Sequence, residues 1–181
     1  QPGKLLGYLG DKENPTSILL ENNNLKIEIK VDFKSNVGST DLAGVKDIML
    51  ESAISTILDC EDSVSAVDAE DKLLSYKNWF GLITGSLTSE IIRNDSSFTR
   101  KLKSDREFRT LDGSVLVVRS RSLMFIRNVG HLMTNESILL SDGSEIHEGI
   151  LDAVLTSLIS LHDLKVSQRN SKTGSIYIVK P

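Results

Sequence analysis

The feature that most constrains the fold is the stretch from Ala53 to Val64, AISTILDCEDSV. It starts as an uncharged run of apolar and β-branched residues and then breaks abruptly into Asp59, Glu61 and Asp62. Such a run predicts a strand that is buried on both faces, as in parallel sheets. In parallel α/β folds the carboxyl ends of the strands face the ligand. The three carboxylates are therefore candidates for chemistry.

The sequence after the carboxylates continues as half of a parallel βαβ unit. Residues 67–80 predict a helix, with polar residues near its start and Gly81 at its end. Residues 122–131, SLMFIRNVGH, are a second apolar run, and this run ends in Arg127. Because both runs end in charge, we expect the acidic residues and Arg127 to meet on the same face of the sheet.

The last sixty residues predict a further helix and a third strand. Residues 145–164 carry two neighbouring apolar stripes, which predict a helix packed on a sheet. The stripes are Ile150, Val154, Leu158 and Leu161, and beside them Leu151, Leu155, Ile159 and His162. Residues 175–179 predict a buried strand that ends at Lys180. Alternating strands and helices with charged carboxyl ends are typical of a (β/α) barrel segment, although three strands cannot close a barrel.

The remaining sequence predicts antiparallel structure. Residues 17–32 alternate between apolar and charged side chains, as expected for a half-buried hairpin. Asp112-Gly113 predicts a second hairpin, between residues 108–111 and 115–118. Thr40 is a candidate cap for a helix. That helix would carry apolar residues at helical spacing, namely Leu42, Val45, Ile48 and Met49. We therefore expect the chain to alternate between two structural units, entering a parallel sheet near residue 53, leaving it near 84 and returning near 122.

Composition excludes several classes of function. The formal net charge of −4 and the lack of a lysine and arginine cluster do not favour nucleic-acid binding. The sequence contains no apolar run long enough to cross a membrane and no signal-like start, and Cys60 is its only cysteine. A cytoplasmic protein is therefore expected. Since the sequence starts at Gln1 and stops just after a strand pattern, both ends are expected to be cuts inside a longer protein.

Each candidate residue also has a plainer interpretation. Asp59, Glu61 and Asp62 could be solvated loop charges or helix caps, because runs of charge usually lie at the surface. Arg127 could pair structurally with Asp59 and bind no ligand. The residues alone thus predict a site of mixed charge at the end of a partial α/β barrel and leave its ligand open.

The other reactive side chains give weaker signals. The histidines show no metal-ligand spacing; they are His131, His147 and His162. His162 lies on an apolar helix stripe and is expected to pack in the core. Cys60 stands beside carboxylates, which disfavour the thiolate, so it is not expected to act as a nucleophile.

Long segments of the chain resemble the malate synthase family, in its longer bacterial isoform G. The resemblance runs through nearly the whole chain, from GYLGD near the start. The segments are DLAGVKDIMLESAISTILDCEDSVSAVDAEDKLLSYKNWFGL, RSLMFIRNVGHLMTN, EGILDAVLTSLISLHDLK and RNSKTGSIYIVKP. The resemblance implies an internal piece of that enzyme.

The resemblance also gives the expected fold. In the family, a TIM barrel is interrupted by an inserted α/β domain whose chain leaves and re-enters the barrel. We therefore expect an α/β fold in which partial TIM (β/α)8 barrel segments, residues 52–84 and 122–181, alternate with parts of an inserted α/β domain. The inserted parts, residues 1–51 and 85–121, would contain the antiparallel hairpins.

By resemblance, the chain carries part of an active site. The family joins acetyl-CoA to glyoxylate and hydrolyses the resulting thioester to malate and CoA, using Mg2+. Arg127, in FIRNVGH, would be the catalytic arginine that binds glyoxylate and stabilises the acetyl-CoA enolate. Asp59 and Glu61, in DCED, would orient that arginine and approach the water shell of the metal. Ser63 and Arg100 match positions that contact acetyl-CoA.

The resemblance further implies what this sequence lacks. The direct magnesium ligands and the aspartate general base of the family belong to sequence beyond Pro181, so no direct metal ligand is expected here. Without base and metal, we expect no synthase activity from the chain alone. The alternative is a stand-alone α/β module that binds acetyl-CoA or is inert. The full-length parent is expected to be a monomer, whereas an open barrel edge would favour self-association of this chain.

Overall fold

The computed structural model describes residues 4–50, 55–61, 66–93, 96–130, 133–167 and 169–180. The elements of these residues, in chain order, are β1 (Lys4–Gly10), β2 (Pro15–Asn22), β3 (Leu25–Val31), β4 (Val45–Leu50), β5 (Ser55–Asp59), α1 (Ala69–Thr84), β6 (Thr88–Arg93), β7 (Ser96–Lys101), β8 (Arg106–Arg109), β9 (Val115–Val118), β10 (Leu123–Arg127), β11 (Thr134–Leu139), β12 (Glu145–His147), α2 (Glu148–His162) and β13 (Ile178–Val179). The fold is mixed α/β, as predicted, and the described residues form no closed barrel. None of their helices is both long and apolar enough to span a membrane.

The chain divides into two compact units. The first contains residues 1–54 and 104–121, and the second contains residues 55–103 and 122–181. Two of the divisions lie within a few residues of the predicted boundaries at 51/52 and 121/122. The β6–β7 hairpin, which the sequence assigned to the inserted domain, groups with the second unit. The assignment of the units to a barrel and an inserted domain stays a prediction.

The first unit is a six-stranded antiparallel sheet in the order β4-β3-β2-β1-β8-β9. The two predicted hairpins are confirmed. Asn23 and Asn24 turn β2 into β3 at positive φ, 50° and 64°, which asparagine tolerates better than most residues. Gly113 turns β8 into β9 at φ 88°. The carboxylate of Glu28, buried in the sheet, accepts a hydrogen bond from Ser17 (2.6 Å) and pairs with Arg106.

The helix predicted after Thr40 is wrong. A short 3-10 turn spans Gly38–Thr40, and the chain then enters β4, which pairs antiparallel with β3. Gly44, at φ 69°, makes the turn between them and ends any helical path. The backbone groups of residues 45–50 instead complete the hydrogen bonds of β3, a partner that the spacing of apolar residues does not reveal.

The second unit contains the predicted parallel sheet, in the order β13-β10-β5. Helix α1 begins after Asp68, whose carboxylate accepts from the N–H of Asp71 (2.9 Å), and ends at Gly85 in the left-handed region. Helix α2 runs directly from β12. The core of this unit lies between sheet and helices and contains Cys60, Tyr76, Trp79, Ile83, Ile126 and Leu151.

Three details of this unit differ from the prediction. Strand β5 is not buried on both faces, and Ile57 is 52% exposed, because β5 is an edge strand of the described sheet. Strand β13 has only two residues, Ile178 and Val179. His162 is exposed and meets the edge of the Phe80 ring, with the ring centroids 5.3 Å apart, so its predicted place in the core is wrong.

Helix α2 buries only one of its two predicted apolar stripes: Leu151 lies in the core, and Leu155 and Ile159 pack against it. The apolar residues Ile150, Val154 and Leu158 are each more than half exposed. Beside that stripe, the buried face carries a polar stripe that was not predicted, Asp152, Thr156 and Ser160, which recurs every fourth residue. These polar groups can be buried because they are hydrogen-bonded, chiefly to α1 and to the chain after β10.

Candidate active site at the carboxyl ends of the parallel strands

The register of the parallel strands places Asp59 opposite Arg127. Both are the last residues of their strands, β5 and β10, and the two strands pair over their full length. Nε of Arg127 donates to Oδ1 of Asp59 at 2.9 Å, and Nη2 donates to Oδ2 at 2.5 Å. This is the two-pronged geometry in which a guanidinium binds a carboxylate most specifically. The predicted meeting of the two strand ends is confirmed.

The pair is charged and open to a ligand. Hydrogen bonds from Arg127 hold the pKa of the Asp59 carboxyl below its usual value, against a smaller opposing effect of burial. In return, Asp59 raises the pKa of the Arg127 guanidinium. The side chain of Arg127 is 29% exposed and that of Asp59 is 23% exposed, so the pair reaches the surface of the unit.

Two short loops follow the paired strands and are tied together by hydrogen bonds. We call residues 59–61 the Asp59 loop and residues 127–130 the Arg127 loop. The N–H of Cys60 donates to the carbonyl of Arg127 at 2.9 Å. The buried carboxylate of Glu61 accepts from the N–H of Gly130 at 3.0 Å, and the N–H of Glu61 donates to Asp59 at 2.9 Å. Glu61 thus links the two loops.

A buried ionic network lies beneath these loops. Nζ of Lys72, on α1, donates to the carbonyl of Cys60 at 2.5 Å and pairs with Glu148 and Asp152 of α2. Asp152 accepts from the N–H of Val129 at 2.7 Å. The side chains of Lys72, Glu148 and Asp152 are at most 2% exposed. Unlike Asp59 and Arg127, these three residues have no access to a ligand.

Sequence reasoning missed this network. Lys72 stands among the polar residues near the start of α1, and Asp152 stands among the residues of two apolar stripes. A usable signal was present in α2. Asp152, Thr156 and Ser160 recur at intervals of four, so they define a continuous polar line on a helix that is otherwise strongly apolar.

Cys60 sits in this network as a packed side chain. It is fully buried, and burial, together with the nearby Asp152 carboxylate, raises the pKa of the Cys60 thiol to about 12. The thiolate is therefore scarce at neutral pH, in agreement with the expectation that Cys60 is not a nucleophile.

Of the two predicted acetyl-CoA contacts, the described residues include only Arg100. Ser63 lies outside the described residues. Arg100 lies on β7, opposite Ser89 of β6, in a hairpin strand whose six residues are all exposed. Within the described part of the chain, no hydrogen bond or ion pair joins Arg100 to Asp59, Glu61 or Arg127. The structure therefore brings together Asp59, Glu61 and Arg127, and within the described residues Arg100 makes no direct bond to them.

The described residues do not fit a direct metal site. Among them, no group of three histidine, cysteine, aspartate or glutamate side chains is placed to hold a metal ion. The two site carboxylates, Asp59 and Glu61, are bound to Arg127 and to the backbone of Gly130. Magnesium stays an expectation that comes from the family resemblance.

Comparison with known proteins extends this picture. Residues 123–181 match the family model for the malate synthase TIM barrel domain. The chain is 55% identical to malate synthase G of Corynebacterium efficiens over 178 residues, which are 97% of this chain and 24% of that protein. It is 54% identical to malate synthase G of Corynebacterium glutamicum over 97% of this chain and 24% of the relative.

A third relative, malate synthase G of Halalkalibacterium halodurans, is 49% identical over 98% of this chain and 25% of its own length. The chain therefore spans about a quarter of the length of the relatives it matches. The resemblance seen in the sequence is confirmed: the chain is homologous to malate synthase G over nearly all of its own length.

Proposed function

We propose that this chain supplies the arginine side of a malate synthase active site. The reaction would condense acetyl-CoA with glyoxylate and water to give malate and CoA. One observation carries the proposal: Asp59 and Arg127 form a two-pronged ion pair at the carboxyl ends of neighbouring parallel strands, within a sequence about half identical to malate synthase G. That strand end is where α/β folds place their ligands.

Arg127 has donors left for a substrate. A guanidinium carries five N–H donors. Within the described residues, two of the Arg127 nitrogens, Nε and Nη2, donate to Asp59. The remaining N–H groups can bind a carboxylate or carbonyl oxygen of glyoxylate. The bond to Asp59 fixes the plane of the guanidinium, so the direction of these donors is set before the substrate arrives.

The chemistry that suits this arrangement is stabilisation of a developing oxyanion. When a base removes a proton from the methyl group of acetyl-CoA, negative charge moves to the thioester oxygen and an enolate forms. The fixed positive charge of Arg127 would stabilise that oxygen, and the enolate carbon would then attack the aldehyde carbon of glyoxylate. We propose that the base belongs to sequence outside this chain.

The remaining groups of the site complete the proposal. Ser63 and Arg100 are proposed to contact acetyl-CoA. The magnesium ligands are proposed to lie outside this sequence, with Asp59 and Glu61 near the metal's water shell. We further propose a cytoplasmic location, and we propose that the 181-residue chain alone forms no malate. Self-association of this chain stays a prediction that light scattering over a range of concentrations can test.

A chimeric enzyme tests the proposal. The matching stretch of Corynebacterium glutamicum malate synthase G is replaced by these 181 residues, and glyoxylate-dependent release of CoA from acetyl-CoA is measured. We expect activity within about tenfold of the parent, since half of the residues are unchanged. Arg127→Lys should lower kcat by about 10²–10³, the usual effect of losing an oxyanion donor.

Matched controls make the result decisive. Arg109→Lys makes the same chemical change at an exposed position of β8 and should leave kcat unchanged. A chimera that folds like the parent but releases no CoA would contradict the proposal. Full activity of the Arg127→Lys chimera would do the same, as would malate formation by the isolated 181-residue chain.

A further inference from the structure

The Asp59 loop and the Arg127 loop are also connected through Lys72 of α1 and Asp152 of α2. Lys72 donates to the carbonyl of Cys60, which follows Asp59, and Asp152 accepts from the N–H of Val129, two residues after Arg127. Lys72 and Asp152 are themselves 3.2 Å apart and almost completely buried. We propose that they are positioning residues, which set the distance and orientation of Asp59 and Arg127. The catalytic consequence, though not the geometry, rests on the proposed function.

The contacts act on backbone, which is why we assign a positioning role. A side chain that binds a carbonyl or an N–H group fixes the path of a loop and touches no reacting atom. Here one loop offers a carbonyl, at Cys60, and the other offers an N–H, at Val129. The Lys72 ammonium donates to the carbonyl, the Asp152 carboxylate accepts from the N–H, and the ion pair between Lys72 and Asp152 joins the two contacts. An apolar core would cover the same loops without fixing them.

The side chains of the network are held in one arrangement, because each donor bonds a specific acceptor. Oδ1 of Asp152 accepts from the hydroxyl of Tyr76 at 2.6 Å, and Oδ2 accepts from Val129 at 2.7 Å. Glu148 supplies a second carboxylate to Lys72. Burial works to lower the pKa of Lys72, but Glu148 and Asp152 outweigh it and raise that pKa, so the ammonium stays charged. Turning the carboxylate of Asp152 would break several of these bonds at once.

Buried ion pairs often add little stability over apolar residues of the same size. Lys72 and Asp152 instead fix the orientation of the two loops, since each contact has a defined donor and acceptor. Besides the Asp59–Arg127 pair itself, the two loops of the described residues are joined directly through Cys60 and Glu61, and the Lys72–Asp152 ion pair adds a further link from the helices. We therefore expect its loss to loosen the Asp59–Arg127 contact more than the fold.

The test uses a signal of Arg127 itself. In the 15N-labelled chain, NMR measures solvent exchange of the Arg127 Nε–H, which the bond to Asp59 protects. Lys72→Met and Asp152→Asn should each speed that exchange by at least about tenfold, as local opening becomes easier. Lys72→Arg, which keeps the charge, should restore most of the protection. Ser160→Ala, which removes an acceptor of Trp79 elsewhere in the α1–α2 contact, should leave exchange unchanged.

A second readout separates geometry from function. In the chimeric enzyme, Asp152→Asn should lower kcat by about 10²-fold, the typical effect of small misplacement in an active site, with the KM for acetyl-CoA unchanged. Equal exchange rates of Arg127 Nε–H in the parent and in the Asp152→Asn chain would overturn the positioning role. So would an equal rise in the Ser160→Ala control.

Folding failure does not block the test. If Lys72→Met does not fold, Asp152→Asn, which keeps the size of the side chain and one acceptor oxygen, still decides the question. Faster exchange in Asp152→Asn, together with an inactive unmutated chimera, would support the positioning role and contradict the proposed function. The two inferences can therefore fail separately.

Discussion

Replacing Tyr76 with phenylalanine removes a single hydroxyl from the buried network. That hydroxyl donates to Asp152 at 2.6 Å, and Tyr76 is only 7% exposed. Hydrogen bonds to charged groups contribute about 1.5–3 kcal/mol to the free energy of unfolding. Because Asp152 keeps Lys72 and the N–H of Val129, we expect a loss in the lower half of that range, about 1.5–2 kcal/mol. In a chain of this size the loss corresponds to a fall in Tm of about 3–8 °C.

The single tryptophan makes the assay specific. Trp79 lies in the core of the second unit, so its fluorescence during urea unfolding reports that unit alone. Tyr177→Phe is the matched control. The Tyr177 hydroxyl is in the same unit, but it lies on an exposed surface and makes only a long contact, 3.4 Å, with the hydroxyl of Thr173. Its effect should be within about 0.5 kcal/mol. Equal losses in the two variants would refute the reasoning.

Three more perturbations test other parts of the molecule. Because Arg127 lowers the folded-state pKa of Asp59, their pair stabilises the second unit above about pH 4, and this stabilisation is lost as the pH falls through the lower, folded-state pKa. Asp59→Asn should flatten the acid limb of Tm against pH, and an unchanged limb would count against the pair. Cys60, with its pKa near 12, should resist iodoacetamide in the native chain and react in urea, as mass spectrometry would show, whereas rapid native modification would disprove its burial. Gly7→Ala would place its Cβ 2.6 Å from the carbonyl oxygen of Arg109 and should destabilise the first unit by about 1–3 kcal/mol; unchanged circular-dichroism melting would contradict this.

The strand ends could be predicted because the sequence pattern contains the information. An uncharged run that stops at Asp59 and another that stops at Arg127 indicate two parallel strands with opposite charges at one edge. The contact between the two residues follows from that register. Their roles, and those of Glu61, Ser63 and Arg100, come from family resemblance and stay predictions that the chimeric enzyme can test.

The errors arise where a distant partner decides the structure. The apolar residues after Thr40 are spaced as in a helix, but residues 45–50 form β4 because β3 offers an unpaired edge. In α2, hydrophobicity predicts that Ile150 and Val154 are buried. They are exposed because polar partners on α1, some eighty residues earlier in the chain, bind Asp152 and Ser160, and the helix therefore packs on the neighbouring stripe that contains Leu151. No local spacing in the sequence contains that information.

The polar stripe of α2 has a consequence for how the two helices can move. Lys72 and Tyr76 meet Asp152, and Trp79, one turn further along, donates to Thr156 and Ser160. A slide by one turn, about 5.4 Å, would break all of these hydrogen bonds and the ion pair, whereas a leucine-rich contact would lose little. Sliding of one helix along the other is therefore more costly here than in an apolar contact. Among related sequences, substitutions should accumulate at the exposed apolar residues of α2, such as Ile150 and Val154, whereas the buried polar stripe should tolerate few.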